Sequence, residues 1–138
     1  MVVLVAGGYL AFGTGGKAGE LVVAEQYARA FARQDPAALY PLLSEEAQGR
    51  VTRARFVELH RAAAATATAT RIFTGPPTLV DEHHAEIPVT VRTRVFGTVR
   101  GRLRLAFTGG GDHPGVDWQR NLVFPGVPEG AELTRTVE

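Results

Sequence analysis

The hydrophobic positions repeat with two different periods along the chain. Up to about residue 64 they recur every three or four residues, which is the spacing of one face of an α-helix. After residue 70 they alternate with polar residues, which is typical of a β-strand with one buried face. Helices followed by antiparallel strands indicate an α+β fold, in which the helices pack on one face of a curved sheet.

Each predicted helix has a recognisable start. Apolar residues at helical spacing predict a first helix of about four turns over residues 19–33. Asp35 followed by Pro36 is the pattern of an N-cap and a first helical position, and predicts a second, short helix that reaches Leu43. Ser44 and Thr52 are the expected N-caps of two further helices, of which the second is the longer.

The clearest strand pattern covers residues 85–95 and 99–107, and we expect one set of alternate residues to face the core. That inward set is Ala85, Ile87, Val89, Val91, Thr93, Val95, Val99, Leu103, Leu105 and Phe107. Both strands can bury the same face if the loop between them has an odd length or a bulge, and Gly97 can supply the positive φ. Shorter strands are predicted at residues 71–73 and 78–80, and a last strand begins at Val116 and includes Trp118.

The outward positions of the same two strands carry five arginines. They are Arg92, Arg94, Arg100, Arg102 and Arg104. Like charges on neighbouring strands destabilise a sheet, so something must offset them. One interpretation is a solvated face balanced by Asp81, Glu82 and Glu86. The other is a candidate interaction face for an acidic partner or for anionic lipid headgroups.

Composition removes several classes of function. The chain has 138 residues, the usual size of one domain, and a net charge of +1, which does not indicate nucleic-acid binding. It has no Cys, which excludes a thiol nucleophile, a disulfide and a Cys-ligated zinc. Its one Lys, Lys17, and its one Ser, Ser44, lie on unlike segments, so a catalytic Ser–Lys pair is not expected.

The first residues form an uncharged run from Val2 to Phe12, followed by a Gly-rich stretch. A bilayer-spanning helix needs about 20 apolar residues, so the run is too short to span. It fits the outer end of a membrane anchor, a misassigned start codon or a short buried edge strand, and we favour the anchor. Residues 1–16 are then the remnant of an anchor plus a linker, and residues 17–138 form a single domain.

The last quarter of the chain carries a family resemblance. Its motif is Val116-Asp117-Trp118, then Leu122-Val123-Phe124-Pro125-Gly126-Val127, then Gly130 and Leu133-Thr134-Arg135-Thr136. With Thr52 and Phe56 opening the longer helix, residues 18–138 resemble the nuclear-transport-factor-2-like N-terminal domain of class B penicillin-binding proteins, which include the methicillin-resistance transpeptidases. Arg120-Asn121 departs from that pattern. The motif residues with an expected structural role are Trp118, Phe124, Pro125 and Gly126.

The resemblance implies a cone-shaped domain of the nuclear-transport-factor-2-like or cystatin-like kind, with no catalytic, cofactor-binding or metal-binding residues. In that family catalysis belongs to a later domain with Ser-x-x-Lys, Ser-x-Asn and Lys-Thr-Gly motifs, none of which occurs here. The implied function is a membrane-proximal spacer and docking domain in peptidoglycan synthesis, on the extracytoplasmic side of the cell membrane. The implied partners are the protein's own C-terminal transpeptidase domain, cell-division or elongation proteins and the adjacent membrane, with no nucleic acid.

Two alternatives keep the fold and change the function. The first is a free-standing protein whose pocket binds a small apolar ligand, as in an isomerase or dehydratase. Such chemistry needs an acid on the inward strand face, and the inward set contains none. Tyr27, Tyr40 and His60 can face inward from helices, and His60 is interpreted as a structural histidine. The second alternative is an adaptor with no transpeptidase attached.

His83 and His84 point to opposite faces and are not expected to share a metal.

Overall fold

The computed structural model describes residues 18–109 and 114–127, and it confirms the α+β fold class. The helices come first and a strongly curled antiparallel sheet, shaped like a half-barrel, follows. The helices are α1 (Gly19–Ala32), α2 (Pro36–Leu39), α3 (Glu45–Arg50) and α4 (Arg53–Ala67), with a 3-10 turn at Tyr40–Leu42. The predicted anchor segment, Gly130 and residues 133–136 of the family motif lie outside the described residues.

The three predicted N-caps are confirmed. The side chains of Asp35, Ser44 and Thr52 each accept a hydrogen bond from the backbone N–H three residues later, at 3.3, 3.1 and 3.2 Å. Each bond satisfies a donor that the first turn of a helix would otherwise leave without a partner. The predicted short second helix divides after Leu39, where α2 tightens into the 3-10 turn.

The strands of the described residues are β1 (Ala69–Thr74), β2 (Thr78–Asp81), β3 (His84–Thr93), β4 (Thr98–Thr108) and β5 (Gly115–Val116). β3 lies in the middle and pairs along its length with β4. β1 and β2 share the other edge of β3, one after the other, and β5 pairs with the end of β4. Gly75-Pro76-Pro77 separates β1 from β2, because proline has no N–H to donate to a ladder.

The inner face of the sheet holds most of the predicted inward residues. Val91 lies opposite Val99, and Ile87 lies opposite Leu103. The fully or nearly fully buried positions are Ala85, Ile87, Val89, Val91, Leu103, Leu105 and Phe107. Helices α1 and α4 cover this face and add Tyr27, Phe31 and Phe56 to the same core.

The inward prediction for Val95 is wrong, since this side chain is 61% exposed. The alternation stops at Thr93, the last residue of β3, where its N–H donates to Gly97 O and closes a hairpin loop. Gly97 has the predicted positive φ, +73°. Thr68, itself left-handed at φ +55°, accepts the N–H groups of both Arg94 and Val95 on its hydroxyl and holds the loop against the end of α4.

The last strand is shorter than predicted, because the chain leaves the sheet after Val116. Ser44 N–H donates to Val116 O at 2.9 Å, and Arg50 forms an ion pair with Asp117 at 2.7 Å. These contacts draw the chain towards the helices, so that Trp118 lies beyond β5 and an unpredicted 3-10 turn follows at Arg120–Val123.

Candidate functional site

Four of the five candidate arginines lie on the outward face of β3 and β4, exposed to solvent. Arg92 lies opposite Thr98, and on β4 three arginines follow at every second residue. Arg100, Arg102 and Arg104 lie opposite Thr90, Pro88 and Glu86. No arginine of this face therefore has another arginine directly opposite it between β3 and β4, which reduces the repulsion that the sequence suggested.

Arg94 belongs to the hairpin loop rather than to a strand. β3 ends at Thr93, and the backbone N–H of Arg94 donates to Thr68, at 2.9 Å to its carbonyl and 3.1 Å to its hydroxyl. Its side chain is exposed at the end of the sheet. The arginine row on the sheet itself therefore consists of Arg92 and the three arginines of β4.

Of the acidic residues that were expected to balance these arginines, only Glu86 pairs with one of them. Glu86 pairs with Arg102 at 3.4 Å. Asp81 instead organises the turn before β3, where it accepts the N–H of His83 at 2.8 Å and contacts the His84 ring at 2.8 Å. The His83 N–H is the main reason that the pKa of Asp81 lies below its usual range. Among the described residues Glu82, Arg100 and Arg104 form no ion pair.

The sequence pattern missed two members of the outward face, Arg71 and Phe73. Arg71 lies opposite Arg92 across β1 and β3, where the like charges meet directly. The exposed ring of Phe73 lies near both, with its centroid 5.6 Å from the guanidinium carbon of Arg71 and 5.5 Å from that of Arg92. The ring face attracts both cations and offsets part of their repulsion. The two-residue period after residue 70 was the pattern that could have located them.

The motif residues Trp118 and Phe124 lie in the core, 6% and 7% exposed. Trp118 packs against Phe56 with 4.9 Å between ring centroids. Pro125 is buried on the inner face at Gly101, where a Cβ on the glycine would lie only 3.2 Å from the Pro125 Cβ. Gly126 has φ +83°, which favours glycine. The end of the described chain is therefore seated on β4.

An aromatic cluster at the centre of the core carries polar atoms without hydrogen-bond partners. In the described part of the chain these include Tyr27 Oη, His60 Nε2 and Trp118 Nε1. Burial raises the pKa of Tyr27, an effect that the nearby Trp118 partly offsets, and burial lowers the pKa of His60 to about 4. Both side chains are therefore neutral at pH 7. Tyr40 is satisfied, because its hydroxyl donates to Val51 O at 2.7 Å.

A cavity of about 70 Å³ opens beside His60. Its lining combines the apolar side chains of Phe31, Leu39, Ile72 and Phe124 with the polar side chains of Asp35 and Arg61. Pockets for drug-sized ligands have volumes of roughly 300–1,000 Å³. This cavity therefore admits a few water molecules or a small chemical group.

Within the described ranges, no three metal-ligating side chains come together, and no helix has the length and apolarity needed to span a bilayer. His83 lies in the turn before β3, and His84 is held by Asp81. The described histidines near this turn are therefore engaged in local structure.

The chain matches no protein-family model and no curated protein sequence.

Proposed function

We propose that this chain is the non-catalytic spacer and docking domain of a membrane-anchored class B penicillin-binding protein. It would stand on the extracytoplasmic side of the cell membrane and hold a D,D-transpeptidase domain at a set height for peptidoglycan synthesis. The proposal starts from the resemblance of residues 18–138 to the domain of that family. Three features of the fold support it.

The observation that carries the proposal is the separation of the two ends of the described chain. Gly19 and Val22, at the start of α1, line the same groove as Thr108 at the end of β4. Pro125 and Gly126 instead lie against Gly101, near the start of β4. Positions 101 and 108 of one strand are about 23 Å apart at 3.3 Å per residue. A domain whose described chain begins near one end and finishes near the other is suited to separating what it joins.

The second supporting feature is the anchoring of the C-terminal segment. Trp118, Leu122 and Phe124 are buried in the same core as the helices and the sheet. Asn121 also donates its side-chain N–H to Val127 O at 3.2 Å. The described chain therefore ends at a fixed position on the domain, and a catalytic site tethered there would sample a limited volume above the membrane.

The third feature is the filled interior. The inner sheet face has no titratable side chain among its described strand residues, and the cavity beside His60 is small. Isomerase chemistry of the kind that uses this fold requires a carboxylate or a polar donor aimed at a substrate-sized pocket. The filled interior favours a domain that acts through its surface, where the exposed arginines provide a docking face for partner proteins or for the membrane.

An antibody raised against this chain tests the proposal. Native membranes are labelled with a fluorescent β-lactam, and the captured protein is run on a denaturing gel. The proposal predicts a fluorescent band several times heavier than 14.8 kDa, the mass of this chain. An unlabelled band near 15 kDa in the soluble fraction would overturn it.

A second candidate function is the binding of a small, mainly apolar ligand. The observation in its favour is the unpartnered Nε2 of His60 beside the cavity, where a ligand hydroxyl could donate to it. Small alcohols and phenols titrated into the isolated chain test this candidate by NMR. Saturable shifts at Phe31 and Ile72, which line the cavity, that disappear in His60→Leu would support it, and unchanged spectra would remove it.

A further inference from the structure

Among the residues that the structure describes, one edge of β4 has no partner strand over most of its length. β5 pairs with β4 at Phe107 and Thr108, and the N–H of Asp117 donates to Ala106 O. From Thr98 to Arg104 no described residue hydrogen bonds to that edge. A row of free backbone donors and acceptors is a template for an added strand.

The free backbone groups belong to the same residues as the arginine side chains. The N–H of Phe107 donates to His83 O across the β3 edge, so odd-numbered residues of β4 direct their backbone groups towards β3. The register between β3 and β4 is continuous, so even-numbered residues direct theirs to the free edge. Arg100, Arg102 and Arg104 therefore combine an exposed cation with a backbone N–H and C=O that have no partner in the described part of the chain.

The charges on this edge are also largely uncompensated. Glu86 contacts Arg102 at 3.4 Å, while Arg100 and Arg104 have no carboxylate partner among the described residues. The three arginines stand at every second residue, about 6.6 Å apart along the outer face. An added strand with a carboxylate at every second residue would place one carboxylate beside each arginine.

We propose that the free edge of β4 binds an extended acidic peptide segment of a partner protein by strand addition. Backbone hydrogen bonds at Arg100, Arg102 and Arg104 would hold the segment, and alternating Asp or Glu side chains would fix its register on the outer face. The side chains between these acidic residues would face inward next to Gly101 and Pro125. Little space is available there, so small residues fit best. This inference deepens the docking part of the proposed function.

Amide hydrogen exchange in the isolated chain gives the first test. The amides of Arg100, Arg102 and Arg104 should exchange fast, whereas those of Gly101, Leu103 and Leu105, which bond to β3, should exchange slowly. A soluble peptide in which glutamate alternates with threonine is then added. The proposal predicts saturable binding and at least a tenfold slowing of exchange at the three arginine amides. Slow exchange at these amides before any peptide is added would overturn it, because the edge would already be covered.

Three controls separate strand addition from simple charge attraction. A peptide N-methylated on the side that faces β4 keeps its charges and loses its backbone donors, and it should bind at least tenfold more weakly. The double variant Arg100→Glu, Arg104→Glu should also bind at least tenfold more weakly. Arg53→Glu, on the exposed first turn of α4, changes the charge elsewhere and should bind normally.

Equal binding of the methylated and unmethylated peptides, or no binding at all, would contradict the proposal. Both measurements use the isolated chain and acidic peptides, so they do not depend on an attached transpeptidase. The β-lactam experiment can therefore fail while strand addition succeeds, and the reverse can also occur.

Discussion

The two faces of β4 lie in opposite environments, one in the core and one in solvent. Leu103 and Leu105 are 1% and 0% exposed on the inner face, whereas the side chain of Arg102, immediately before Leu103, is 71% exposed on the outer face. The inner residues pack against helices, and the outer ones face solvent. A change of one residue along this strand therefore moves a substitution from the part of the molecule that determines stability to the part available for recognition.

The most severe test of this comparison is a pair of truncations on one strand. Leu105→Ala removes a fully buried side chain and should lower the free energy of unfolding by about 3 kcal/mol. Arg104→Ala, its exposed neighbour, should change it by less than about 0.5 kcal/mol. Urea unfolding of both variants measures the difference, and similar losses in the two would break the comparison.

His60 extends the comparison to a polar group inside the core. Because its pKa is lowered to about 4, the unfolded chain takes up this proton first as the pH falls. Above about pH 6.5 this group does not reduce the free energy of unfolding. As the pH falls from there to 4, the free energy of unfolding should decrease by roughly 3 kcal/mol. His60→Leu should remove that part of the pH dependence in urea unfolding from pH 7.5 to 4. His83→Leu, in an exposed turn, is the matched control and should retain it.

Gly101 tests whether the inner face of β4 also seats the C-terminal segment. A Cβ there would lie 3.2 Å from the Cβ of Pro125 and 3.3 Å from the N of Gly126, so Gly101→Val should cost about 2 kcal/mol. Gly49→Ala, on α3 with open space around it, should instead stabilise by about 0.5 kcal/mol. Thermal unfolding measures both, and a neutral Gly101→Val would show that the segment is not seated on β4.

Charge reversal on the outer face should have the smallest effect on folding. Arg102→Glu with Arg104→Glu should change the free energy of unfolding by less than about 1 kcal/mol, because both side chains are exposed. In cells, the same double variant should impair complementation of a strain that lacks the protein. Normal growth with normal membrane association would remove the docking role of this face.

The local rules of sequence predicted much of the fold because the residues concerned act on their immediate neighbours. Caps such as Asp35 and Thr52 bond backbone groups three residues away, and the alternation from Ala85 to Val91 depends only on the pleat. The prediction for Val95 was wrong because the end of β3 is set by a hairpin that Thr68 holds from another element.

The candidate site was less predictable because it depends on which strands become neighbours. Phe73 joins the outward face only because β1 pairs with β3. Trp118 was expected on a strand, but contacts of Ser44 and Arg50 with residues 116–118 draw the chain away from the sheet. The free edge of β4 likewise follows from the short β5. None of these long-range contacts has a local pattern in the sequence.

The spacer account is tested most directly by a distance between the two ends of the described chain. The protein has no Cys, so spin labels attach only where a cysteine is introduced. With spin labels at Val22→Cys and Val127→Cys, double electron–electron resonance should give one narrow distance distribution centred at roughly 20–30 Å. That range is the separation of positions 101 and 108 of β4, near which the two ends of the described chain lie, plus the length of the label arms. A broad distribution would show that the two ends are not held in fixed positions, and a distribution centred well below that range would show that they are not held apart. Either result would contradict the account.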